Sequence, residues 1–266
     1  MTHCVGLRFV IATGLMSYAT AAFAGAWTLD QGTGDVIVTT TAMQSSSLFS
    51  TGSVLRPIPH YDKDESQALI EYGVTSWFTA MFTPSLQHVD IAPPFAGERT
   101  GLGYTDLGGR ARIWSDASWV VSGQITLRIP GTFDNTNPAA IGYTDPEVDV
   151  RGLVGHSFKL GTMPSFVDVQ VAQRFRIGGP PDEFRTDVTF GINATDKWLF
   201  LAQSFNVTSE GAGTWGYGSF GYYKLQLSAV YALTTSLSLQ FGGYSTYWGR
   251  NALQENGLVV GAWYKF

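Results

Sequence analysis

From Asp35 to the C-terminus apolar and polar residues alternate one for one, in segments of about 9 to 12 residues, and a chain with that period must form strands with two unlike faces. Tyr223, Leu225, Leu227, Ala229 and Tyr231 share one face of such a segment, and Lys224, Gln226 and Ser228 share the other. Trp119, Val121, Ile125 and Leu127 are set off in the same way from Ser122, Gln124, Thr126 and Arg128, and Val167, Val169 and Val171 from Asp168, Gln170 and Ala172. No segment with a helical period competes. Past residue 24, no apolar run reaches the roughly 18 residues that a membrane helix needs. The fold class is all-β.

The connections alternate between two kinds. Five are tight and polar, at 73–76, 115–118, 159–165, 193–197 and 233–236; six are long and rich in Gly, Pro, Asp and Ser, at about 45–65, 89–104, 130–145, 177–183, 208–221 and 248–255. Together they join about twelve strands, within a range of ten to fourteen, and put both chain ends on the short-turn side. Short periplasmic turns and long outer loops are the anatomy of a transmembrane antiparallel up-and-down β-barrel.

A secreted soluble barrel or sandwich would alternate as well, with its apolar face turned inward. Two features favour the membrane. Trp77, Trp114, Trp119, Phe158, Phe166, Trp198 and Tyr231 crowd the short turns, where a girdle of amphipathic rings meets the headgroups. The polar faces also carry charge at mid-strand, with many small residues opposite, as a wet lumen would.

Residues 1–24 read as a secretory signal: Arg8, an apolar stretch from Phe9 to Tyr18, then Ala22-Phe23-Ala24 as an A-x-A cleavage site. The barrel domain is then 25–266. The only cysteine, Cys4, leaves with the signal, so no disulfide is available to the mature chain. The formal charge of −5 falls by one more unit with the loss of Arg8, which excludes nucleic acid as a partner, since its binders are basic. Only 14% of residues are charged and 44% are hydrophobic, which argues against disorder.

At the C-terminus, Leu258, Val260, Ala262, Tyr264 and Phe266 fall on every second position. Gly261, Tyr264 and Phe266 resemble the recognition strand that delivers outer-membrane barrels to the barrel-assembly machinery, with Val259 standing where that pattern usually has a polar residue. The run Glu71-Tyr72-Gly73-Val74-Thr75-Ser76-Trp77-Phe78-Thr79 resembles a "YGxTxxFxL" hairpin, and Tyr104 to Arg112 resembles a "GDLxLGARYR" strand. Both resemble segments of uncharacterised proteobacterial outer-membrane β-barrels of the phenol meta-pathway type. That resemblance, over roughly residues 68–114 and the last strand, implies a transporter in the outer membrane of a Gram-negative bacterium, with lipid and a small-molecule solute as partners and no catalytic residues.

None of His60, His88 and His156 lies in a G-x-S-x-G elbow or an H-E-x-x-H helix. His156-Ser157 resembles the His and Ser of outer-membrane phospholipase A, but that family pairs its His with a more distant Ser and an Asn near the outer rim. His156 reads instead as an interfacial residue beside Phe158. In His60-Tyr61-Asp62 and His88-Val89-Asp90 each His and Asp share a strand face. Convergence of the two triplets at the outer rim would give a metal site or a water-activating hydrolase; separate solvated residues are the plainer expectation, and no enzyme or cofactor is expected. The larger signal is in the lumen. With the apolar face toward lipid, Asp106, Arg110, Arg112, Arg128, Glu147, Asp149, Arg151, Asp168, Arg174, Arg176, Arg185 and Asp187 point inward. Arginine is best satisfied by bidentate carboxylate contact, so many should pair. The excess of arginine over carboxylate leaves open an electropositive track that lowers the cost of moving an anion; the solute classes expected are anionic or aromatic. The expected role is a channel or transporter working by passive diffusion. A non-conducting structural or surface-interaction barrel is the second reading, and a hydrolase using His60/Asp62 and His88/Asp90 the third.

Overall fold

The computed structural model describes residues 25–131, 137, 139, 141, 145–214 and 216–266; the expected signal, 1–24, lies outside the described residues. The strands are β1 (Gly34–Phe49), β2 (Leu55–Thr75), β3 (Phe78–Thr83), β4 (Ser85–Ile91), β5 (Gly97–Leu102), β6 (Thr105–Ser115), β7 (Trp119–Ile129), β8 (Glu147–Leu160), β9 (Met163–Arg176), β10 (Glu183–Asn193), β11 (Trp198–Ser209), β12 (Gly221–Ala232), β13 (Leu237–Arg250), β14 (Ala252–Leu253) and β15 (Asn256–Lys265). β3 and β4 are halves of one barrel strand broken at Pro84, which has no N–H to give a ladder, and β5 and β6 are halves of the next. With β14 a short annex to β1, the result is a closed antiparallel barrel of twelve strands, as the sequence predicts. Closure is made by the two ends of the chain: β15 pairs with β1 through Val36↔Tyr264 and its neighbours, and Gly34 and Phe266 exchange two backbone hydrogen bonds, at 2.8 and 2.9 Å.

All five short turns occur. The one expected at 159–165 tightens to 161–162, because β8 and β9 pair down to Leu160↔Met163. In the turn at 116–118, Asp116 Oδ1 accepts the backbone N–H groups of Ser118 and Trp119, both at 2.8 Å, which holds its carboxyl below the usual carboxylate range.

Three expected loops are mostly strand: 248–255, where β13 runs to Arg250 and β14 covers Ala252–Leu253, and the two long outer segments after β1 and within the β4–β5 hairpin. Only 50–54 of the segment 45–65, and 92–96 with 103–104 of 89–104, lie outside the strands, so β1, β2, β4 and β5 run past the membrane zone as a projecting ribbon. Pro57 and Pro59 suggest a loop, but β2 meets β4 only from Tyr61 onward, leaving these prolines on a free edge where a missing N–H costs no ladder bond. Ala139 and Ile141, from the segment after β7, are buried against Val89 on the inner side of this ribbon.

Parity decides what faces lipid. Ile113, Ile125, Leu227 and Leu258 are 72%, 61%, 58% and 69% exposed, an apolar surface that only a bilayer covers. Trp77, Trp114 and Trp119 lie outside near the short turns, and His156 stacks between Trp119 and Phe158 with ring centroids 4.0 and 5.5 Å away, an interfacial position. Phe166 does not belong to this girdle. It shares the inward face of Asp168 and Gln170 and is buried in the barrel with Leu199, Leu201 and Val230.

The interior is not simply wet. Residues 25–33 enter from the end that carries the short turns. Gly32 N–H donates to Gly73 O and Gly73 N–H to Thr33 O, and a side chain at Gly73 would collide with the Asp30 carbonyl. Leu29 N–H donates to Thr79 Oγ1 at 2.9 Å, and Ser122 Oγ donates to Ala26 O at 2.5 Å. Trp27 then fills the barrel axis, edge-on to Phe166 with centroids 5.9 Å apart and packed on Ala26, Val120 and Leu153. Gly155 makes room for it: a Cβ there would lie 2.5 Å from the Trp27 ring.

Candidate functional site

The lumen has two unlike walls. On β6 to β10 the register itself alternates charge. Asp106 faces Arg128, Arg128 faces Glu147 and Glu147 faces Arg176 on successive strands, while Asp149 and Glu183 flank Arg174. Direct cross-strand neighbours have the closest side chains in a sheet, so opposite charges there bond. Arg128 reaches Asp106 Oδ1 at 2.9 Å and Glu147 Oε2 at 3.0 Å while lying over the Tyr104 ring. Arg176 spans Glu147 and Glu183 at 2.9 and 3.1 Å, Arg174 meets Asp149 at 3.1 Å, and Arg185 meets Glu183 at 2.8 Å. Arg151 joins Asp149 at 3.2 Å and Asp187 at 2.5 Å. Lower down, Arg110 binds Glu71 at 2.6 Å.

Six of the seven candidate arginines are therefore paired, with Glu71, Asp106, Glu147, Asp149, Glu183 and Asp187 as partners. The wall is neutral by formal charge, which replaces the expected positive excess. Glu71 and Glu183 are the missing counter-charges. Both were legible in principle, since each falls on the polar parity of its strand. Arg112, the seventh, lies near the short turns and donates to Ser76 O at 2.8 Å. Asp168 is also inward but meets no guanidinium; its partners are Ala26 N–H at 2.7 Å and Gln170 Nε2 at 2.6 Å. Gln170 in turn accepts from Arg151 Nη1 at 2.7 Å, so the charged wall runs through one amide to the entering chain.

The opposite wall, on β1, β11 to β13 and β15, is mostly amide and hydroxyl, with Lys224 paired to Glu255 and, on β2, Lys63 to Glu65 nearer the outer end. Gln226 donates to Gln203 Oε1 at 3.0 Å, Gln240 to Ser228 Oγ at 3.0 Å, and Trp263 Nε1 to Gln240 Oε1 at 3.0 Å. Between the walls lies a chamber of about 260 Å³, lined by these glutamines, by Thr39 and Thr41, and by Phe166, Phe205 and Trp263, with Gly25 and Asp168 at its edge. Such a space accepts a small molecule with both polar and apolar parts. A larger concavity, about 890 Å³ around Ala42, Leu225, Gly243 and Leu258, opens mainly on the lipid-facing surface.

The rim histidines do not assemble one site. Register puts Asp62 opposite Asp90 and Asp64 opposite His88, so the triplets are neighbours, but their imidazoles diverge. His60 meets Asp62 at 3.1 Å and Ser46 Oγ at 2.9 Å, whereas His88 meets Thr100 Oγ1 at 2.8 Å and only approaches Glu98, at 4.0 Å. Among the described residues no group of three or more His, Cys, Asp or Glu is placed to hold a metal.

A closed antiparallel barrel with an apolar exterior and a charged interior is an outer-membrane β-barrel. No family model matches this sequence, and no curated protein matches it. Among solved structures the fold is similar to a COG4313 outer membrane channel from Pseudomonas putida F1, with a TM-score of 0.78 and 12% identity over 92% of this chain and 100% of that one. It is also similar to the NanC porin, with a TM-score of 0.52 and 9% identity over 86% and 100% of the two chains. The KdgM porin, solved in complex with disordered oligogalacturonate, gives a TM-score of 0.51 and 10% identity over 87% and 99%.

Proposed function

We propose that the protein is an outer-membrane channel for a small solute of low net charge, and that the segment 25–33 limits its conductance. The chamber of about 260 Å³ between an ion-paired wall and an amide wall carries this reading. Because the luminal arginines are matched by carboxylates, the field that would draw anions is largely cancelled. Gln203, Gln226 and Gln240 offer donors and acceptors, and Phe205 and Trp263 offer apolar contact. An aromatic solute with polar substituents fits that lining. The folds it shares with channels and porins support transport over a structural barrel. The divergence of His60 and His88 speaks against a rim hydrolase.

The test is conductance and liposome swelling for the mature protein and for a variant lacking residues 26–31. Small, weakly ion-selective conductance that rises several-fold on deletion supports the proposal. Silence from both proteins, with heat-modifiable barrels inserted, would leave the structural reading in its place.

A further inference from the structure

We propose that the α-ammonium group of Gly25, created when the precursor is cut after Ala24, is the counter-charge of Asp168 and docks the N-terminal segment in the lumen. Asp168 is 2% exposed, and its two bonded partners, Ala26 N–H and Gln170 Nε2, are both uncharged. Among the described residues no Lys, Arg or His forms an ion pair with it, whereas Glu71, Asp106, Glu147, Asp149, Glu183 and Asp187 each hold a guanidinium. A carboxylate has about four lone-pair sites and two are used here. Leaving such a group buried without a cation is costly. Gly25 lies directly against it: a methyl placed on its Cα would sit 2.9 Å from Oδ2 and 3.0 Å from Cγ. The amino nitrogen hangs from that same Cα. In the uncut precursor it is a neutral amide; after cleavage it carries the missing charge. Glycine is the residue that permits so close an approach. The inference rests on processing after Ala24, and two unrelated observations meet there, the Ala22-Phe23-Ala24 pattern and the lone carboxylate beside residue 25.

The test uses mature protein purified from outer membranes and a broad-specificity aminopeptidase, read by mass spectrometry. Wild type should begin at Gly25 and resist trimming. Asp168→Asn should be trimmed roughly tenfold faster or more, since each factor of ten is only about 1.4 kcal/mol of docking. A second variant leaves the barrel untouched and inserts Ser-Gly-Ser between Ala24 and Gly25. Its added residues should be removed and trimming should stop at Gly25, where the ammonium is restored. Trimming that runs past Gly25, an Asp168→Asn protein as resistant as wild type, or a mature chain beginning elsewhere would each overturn the assignment. Because the readout is proteolytic, failure here is distinct from failure of the channel reading, which conductance decides.

Discussion

Arg110 on β6 and Glu71 on β2 meet at 2.6 Å with both side chains 1% exposed, two strands apart around the barrel and just inside the short turns. Removing one partner of so dry a pair leaves an uncompensated charge, which costs about 3–5 kcal/mol. Arg110→Ala and Glu71→Gln should each lower the temperature at which the barrel loses its heat-modifiable mobility. The double replacement Arg110→Met with Glu71→Leu should recover much of that loss. Equal losses in all three proteins would show that the pair acts through packing alone.

The ion-paired wall makes a prediction opposite to that of a bare arginine track. Wild-type channels should show little preference between anions and cations, because the charges cancel in place. Arg128→Ala strands Asp106, while Glu147 keeps Arg176. The lumen then gains net negative charge, and the reversal potential in a salt gradient should shift toward cation selectivity. The shift should weaken as ionic strength rises and the Debye length contracts from about 10 Å at 0.1 M toward about 3 Å at 1 M. A wild-type channel with strong anion selectivity would contradict the pairing.

How much of this was visible in the chain alone depends on how local the cause is. Strand parity is local, so the inward set from Asp106 to Asp187 was readable, and the alternation of short and long connections gave the count of about twelve strands. Phe166 reads as a girdle residue by its nearness to a short turn, yet its parity with Asp168 turns it into the barrel. Pro57 and Pro59 hid a strand, since nothing in the sequence says which edge of β2 is free. Trp27 was invisible for a different reason. A nine-residue segment without period has no preferred partner until the barrel around it exists, and the space at Gly155 that receives its ring belongs to a strand far along the chain.

That space gives a prediction. Gly155→Leu should drive a side chain into the Trp27 ring, which a Cβ alone would already approach to 2.5 Å, and so displace the entering segment. Conductance should rise as it does when the segment is deleted. Gly152 on the same strand has open space around it, so Gly152→Leu is the control and should leave conductance near wild type. Equal effects from both would argue that β8, not the segment, was perturbed.

The closing strand should matter for assembly as well as for the finished barrel. Phe266 is bonded to Gly34 through both backbone groups, and Tyr264 lies opposite Val36, so the last residues seal the seam between the two ends of the chain. Deleting Phe266 removes two of those hydrogen bonds and also the terminal aromatic residue through which the C-terminal strand resembles an assembly signal. Less protein should reach the outer membrane, and what does should lose its compact gel mobility at a lower temperature. Both chain ends lie beside the short turns, so protease added to intact cells should spare them and cut only at outer segments such as 50–54 and 210–220. Cleavage at 161–162 or 194–197 from outside would invert that topology. Phe266→Tyr separates the two roles of the terminus: it keeps the backbone bonds and an aromatic ring, so insertion and stability should both stay near wild type, whereas Phe266→Asp keeps the bonds and should impair delivery alone.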